Sequence, residues 1–141
     1  MATKTHDNKA GNTKFAWHVL DASTRPLGRI ATQAAHLLMG KHMTDFAPNK
    51  VAPLYVIIIN TDKVVLTGDK VNQKQYHKYS GYSGGLHSRT VKEQLTRDSR
   101  VVLRNAVSGM LPKNLLRDDR MRHLKLYPGA EHPHVPQTNS K

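Results

Sequence analysis

Six consecutive residues, Leu54-Tyr55-Val56-Ile57-Ile58-Ile59, are apolar and mostly β-branched, with no polar residue among them. Side chains of this kind favour the extended backbone, and six residues is strand length, too short for a globular helix. A strand with one wet face alternates apolar and polar positions. This one does not, so both of its faces have to be covered. A central, parallel strand between helical layers meets that requirement and sets the fold class as α/β.

The neighbouring segments read as parts of such a fold. Trp17-His18-Val19-Leu20 predicts a short strand, and Asp21–Thr24 a turn. A helix follows, with Pro26 as its first residue, Leu27, Ile30, Ala31, Ala34, Leu37 and Leu38 on one face, and Gly40 at its end. Val64-Val65-Leu66, Gln75–Tyr79 and Leu124–Tyr127 are further strand candidates. Thr90-Val91-Lys92-Glu93 has capping-box spacing, which predicts a helix start near Ser88–Thr90. Asp98-Ser99 caps a second helix that Gly109 and Pro112 bring to a close, and Asn114–His123 predicts a third, strongly charged one. His42–Pro53, with two prolines and no period, is a long connecting loop. Residues 15–127 form a single domain on this reading. Residues 1–14 are a mobile basic arm without hydrophobic periodicity, and 128–141 a Pro-rich extended tail.

Charge narrows the function. The chain carries a formal net charge of +12 and an isoelectric point near 10.2. The stretch from Lys70 to Lys125 holds 13 of the 22 Lys and Arg residues, against only Glu93, Asp98, Asp118 and Asp119. A surface so unbalanced calls for a polyanion, either nucleic acid or an anionic membrane. No apolar run approaches the roughly 20 residues of a bilayer span, and Met1–Lys14 has neither a secretory apolar core nor the Arg of a mitochondrial presequence. Cysteine is absent, so disulfides and thiolate metal sites are excluded. The expectation is a cytoplasmic protein with no membrane partner.

Catalytic readings find little support. None of the nine histidines forms the helical His–Glu–His spacing of a zinc hydrolase, and the rings of His132-Pro133-His134 are expected to point in opposite directions. Gly28 lies inside a helix pattern and Gly40-Lys41 after it, whereas a phosphate-binding loop precedes its helix. No Ser-His-Asp set or carboxylate pair stands out. The reading is a non-enzyme with no cofactor, no metal and no small-molecule substrate.

Nucleic-acid contacts are expected in three groups. Lys41, His42 and Lys50 follow the first helix. His77, Lys78, Tyr79, Gly81, Tyr82, Gly84, Gly85 and His87 mix glycines with rings and cations, which suits stacking on bases beside a phosphate backbone. Lys113, Arg117, Arg120, Arg122 and Lys125 form a basic ridge, with Asp118 and Asp119 beside it as competing internal partners. Arg25 and Arg29 are secondary candidates, and His132 and His134 are read as solvated or phosphate-contacting.

These residues resemble a known family, the bacterial-type large-subunit ribosomal protein L-thirteen. The resemblance runs from about Trp17 to Gln137 through Trp17–Ala22, Leu27-Gly28-Arg29-Ile30-Ala31, Gly40-Lys41, Asn60–Val64, Leu66-Thr67-Gly68 and His77–Gly85. Its most specific pieces are Val107-Ser108-Gly109-Met110-Leu111-Pro112-Lys113-Asn114, Leu124–Gly129 and Glu131-His132-Pro133-His134. Arg117-Asp118 stand where the family usually carries Gly-Arg, a departure that bears on one backbone turn. The resemblance implies a mixed, mostly parallel four-stranded sheet between helices. It also implies a structural constituent of the large subunit that binds its 23S-type rRNA, meets neighbouring ribosomal proteins and supports early subunit assembly. The alternative is a basic RNA-binding module outside the ribosome.

Overall fold

The computed structural model describes residues 4–7, 14–44 and 46–139. Strands β1 (Lys4–Asp7) and β2 (Lys14–Asp21) lead to helix α1 (Leu27–Met39) and strand β3 (Leu54–Ile59). A short helix α2 (Lys70–Gln73) precedes strands β4 (Gln75–Tyr79) and β5 (Leu86–Thr90). Helices α3 (Val91–Met110) and α4 (Leu116–Arg122), strand β6 (Leu124–Leu126) and helix α5 (Val135–Asn139) complete the order.

Strand β3 is central, parallel to β2 on one side and to β6 on the other. Ala16, His18 and Leu20 stand opposite Leu54, Val56 and Ile58, and the last two stand opposite Leu124 and Leu126. This face forms the core with α1 and the second half of α3. Ile57, on the opposite face, is as fully buried as Val56 and Ile58, which is why the run lacks polar alternation. Of the expected mixed, mostly parallel sheet, the parallel part is the three strands β2, β3 and β6; β1 pairs antiparallel at the β2 edge, and β4–β5 stand apart as a separate two-stranded sheet. Val64–Leu66 supplies no strand. A 3-10 turn (Thr61–Lys63) runs up to it, and Val65 makes only one bridge, opposite Pro26. Leu27 donates to the Val65 carbonyl, but Pro26 has no N–H and the helix starts there, so the ladder cannot extend.

Gly40 closes α1 in the left-handed conformation, φ 75°, and a Cβ placed on it would lie 2.8 Å from the Ala52 Cβ. Gly40→Ala therefore meets both backbone strain and a collision. A loss of about 1–3 kcal/mol is expected, read as a lower midpoint in urea denaturation.

Helix α3 is two helices in series. The Thr90–Glu93 capping box opens the first, and Asp98 leaves helical geometry (φ −160°, ψ 103°) to cap the second through the Arg100 N–H at 3.0 Å. Gln94 donates to the Asp98 carbonyl, and Ser99 donates to Asp62 while sharing a 2.7 Å hydrogen bond with Thr61. The elbow is thereby anchored to the end of β3.

The two ends of the chain differ from their sequence reading. Of the arm, Lys4–Asp7 is a strand, while residues 1–3 and 8–13 lie outside those described. The tail is not extended across its length. Asn60 and Thr61 donate to the Gly129 and Tyr127 carbonyls, and Val135–Asn139 is helical. His134 lies 5.1 Å from Trp17, whose ring stacks at 4.4 Å on Tyr55. The tail thus covers part of the sheet face opposite α1 and α3.

Candidate nucleic-acid interface

Strands β4 and β5 form an antiparallel hairpin in register from Gln75–Thr90 to Tyr79–Leu86. Its loop is closed by Ser80 donating to the Gly85 carbonyl and Gly85 donating to that of Tyr82. Gly81 and Gly84 have φ of 89° and 71°, which side-chain-bearing residues adopt only under strain. A Cβ on Gly85 would lie 2.9 Å from the Tyr82 carbonyl oxygen and closer still to Ser80 Oγ. The glycines make this tight turn possible.

The hairpin buries almost nothing. Tyr82 is 79 % exposed, Tyr79 63 % and Leu86 62 %; only Tyr76 packs against the core. The tyrosines therefore do not pack on the sheet. An isolated two-stranded hairpin is marginal in water, and rings held outward at its tip suit stacking against a partner. His77, Lys78 and His87 are exposed beside them.

Few acids are free to neutralise this region. Glu93 is held in its capping box, Asp98 faces Arg100, Asp119 faces Arg122, and Asp62 accepts from Ser99. Among the described residues, no carboxylate forms an ion pair with a hairpin cation.

Around the first helix, Arg25, Arg29, Lys41 and Lys50 are exposed, and Lys41 follows the negative end of α1. The His42 ring meets His18 edge-on at 5.5 Å. Burial, and then His36, lower the His42 pKa; burial, and then His42, lower that of His18. Both causes favour the neutral form of the His42 ring, which is exposed at the end of α1.

The ridge is smaller than its sequence reading. Lys113 and Arg122 are exposed, and Arg117 and Lys125 partly so. Arg120 is corrected: it is 2 % exposed, and its Nη2 donates to the carbonyls of Pro48 at 3.0 Å and Lys50 at 3.3 Å. Arg122 pairs with Asp119 at 2.8 Å, an exposed interaction worth about 0–1 kcal/mol that a phosphate readily replaces.

The expected divergence of the His132 and His134 rings is corrected as well, and both residues are half-buried. Both rings lie 6.0 Å from Tyr127, so they share a partner and do not diverge. Burial, followed by Lys125 and His132, lowers the His134 pKa. The two rings pack against the sheet and the tail with part of their surface exposed.

Arg89 and Arg97 are not among the residues to which the sequence points. Both line a cavity between the hairpin and α3. Period-two alternation along Leu86–Thr90 brings Arg89 into view only once that segment is known to be a strand. No group of three His, Cys, Asp or Glu able to hold a metal occurs among the described residues, and no helix there is long and apolar enough to cross a membrane.

A family model described as Ribosomal protein L13 matches residues 15–133. The large ribosomal subunit protein uL13 of Mycobacterium tuberculosis is 48% identical over 133 residues, covering 94% of this chain and 90% of the relative. Its counterparts in Mycobacterium leprae and Mycobacterium avium are 47% and 46% identical, with the same coverage of 94% and 90%.

Proposed function

The chain belongs to the ribosomal protein L13 family, and from that premise we propose that it binds large-subunit, 23S-type rRNA chiefly through the β4–β5 hairpin. It is a structural constituent of the large ribosomal subunit, not an enzyme, and as a large-subunit protein it is cytoplasmic. Its partners are those of the ribosome, rRNA and neighbouring large-subunit proteins. Binding early, it supports subunit assembly.

One observation carries the RNA reading: the hairpin holds cations and outward rings that, among the described residues, no carboxylate pairs with and no core contact covers. Folded rRNA offers the complement, phosphate ridges beside splayed bases. Arg25, Arg29, Lys41, Lys50, Lys113, Arg117, Arg122 and Lys125 extend the interface as cations around the domain. Each one docked on a phosphate releases counterions, so affinity falls steeply with salt.

The test is a salt titration of binding to a large-subunit rRNA transcript. Lys113→Ala with Arg122→Ala is expected to reduce the log–log slope by about 0.7–0.9 for each phosphate left without its cation. An unchanged slope would remove the ridge from the interface. Sedimentation with large subunits at high salt separates a ribosomal constituent from a basic RNA-binding module outside the ribosome.

A further inference from the structure

The hairpin does not lie flat on the domain. Between it and α3 is a cavity of about 580 Å³, within the roughly 300–1,000 Å³ of pockets that take small organic ligands. Tyr76 stands opposite Arg89 and Lys78 opposite His87, so strand alternation puts these four residues on one hairpin face. All four line the cavity, and Arg97 and Val101 of α3 do so from the other side.

The charges there are one-sided. Asp98 also lines the cavity, but its carboxylate oxygens accept from the Arg100 N–H at 3.0 Å, Nε at 2.9 Å and Nη2 at 3.2 Å. Among the described residues no ion pair involves Lys78, Arg89 or Arg97. The occupant is therefore anionic. Tyr76, half-buried and packed on the core, and Val101 add an aromatic and an apolar wall, so the occupant also has a flat, apolar part. In a bound RNA strand, the unit that joins an anion to a planar ring is a nucleotide.

We propose that this cavity receives one unstacked nucleotide of the bound RNA, its base against Tyr76 and Val101 and its phosphate on Arg89 and Arg97. The proposal rests on the rRNA-binding reading and names a site within it. Arg89 and Arg97 are exposed side chains, so ordering them opposes capture of a free mononucleotide. A strand already held by the hairpin presents its nucleotide at high effective concentration.

The full chain is tested against a large-subunit rRNA transcript by filter binding and by chemical probing of base reactivity. Arg89→Ala with Arg97→Ala is expected to weaken binding at least tenfold, to make the salt slope shallower and to leave the melting temperature unchanged. Wild-type protein is expected to change the reactivity of a discrete unpaired base, and Tyr76→Leu to abolish that change. Wild-type binding with unaltered affinity and probing pattern in the double Arg variant would overturn the cavity proposal and leave the rRNA reading intact. Failure of the wild-type chain to bind the transcript would overturn both. Titration with AMP and UMP supplies the other arm: saturation at micromolar concentration, abolished in Arg97→Ala, would overturn an RNA-borne occupant.

Discussion

Changing Arg120 to Ala is expected to lower folding stability by about 2–4 kcal/mol and to leave the salt dependence of RNA binding unchanged. In a chain of this size, that loss lowers the melting temperature by about 5–15 °C. Arg120 is 2 % exposed and reaches from α4 to the loop before β3, where Nη2 bridges the Pro48 and Lys50 carbonyls. Truncation leaves both carbonyls without that donor and opens a void beside the core. The size of the effect reflects two opposing terms. A buried guanidinium without a carboxylate partner is itself costly, so an aliphatic chain of similar length recovers part of what Ala loses. Arg120→Met is therefore expected to fall between wild type and Ala. Arg120→Lys keeps the charge, but its single ammonium lacks the planar fork that spans two carbonyls. Thermal denaturation and a salt titration on the same variants separate the roles. A shallower salt slope with an unchanged melting temperature would mean that Arg120 is presented to RNA.

Arg120 also shows where the sequence stops being informative. Within Leu116–Arg122 it has Asp118 and Asp119 for neighbours and looks like any solvated helix residue. Its burial is decided by carbonyls some seventy residues earlier, which no local pattern records. His132 and His134 repeat the lesson, because Trp17 and Tyr127, which order them, lie on strand β2 and just after β6. Legibility is high where burial or capping leaves a local mark. The unalternating run of β3, the apolar face of α1, the Thr90–Glu93 box and the Asp98 restart of α3 are all readable. Strand β5 is not. Leu86-His87-Ser88-Arg89-Thr90 is exposed almost throughout, so it shows no hydrophobic period and is a strand only because β4 pairs with it. Without that strand the alternation that brings Arg89 beside Tyr76 stays hidden. The glycine loop is legible as an exposed turn for the opposite reason: nothing in its composition could build a core.

Replacing Tyr79 and Tyr82 together by Ala is expected to weaken binding to rRNA by a factor on the order of 10²–10³, with almost no change in melting temperature. Stacking of a base on an aromatic side chain contributes about 1–3 kcal/mol, and two such rings stand at the hairpin tip. Exposures of 63 % and 79 % leave the folded protein little to lose from their removal. A surface change of this kind stays within about 0.5 kcal/mol of wild-type stability. The salt slope is expected to stay constant, because no cation is removed and the same number of counterions is released. Tyr79→Phe with Tyr82→Phe keeps the rings and removes only the hydroxyls, so near wild-type affinity is expected. Gly85→Ala leaves both rings in place but crowds the Tyr82 carbonyl. It therefore weakens binding by displacing Tyr82, at little cost to the core. Filter binding at two salt concentrations with parallel thermal melts reads all three variants. Equal affinity of the Ala and Phe pairs would show that the tyrosines meet no base, leaving charge alone to hold the hairpin on RNA.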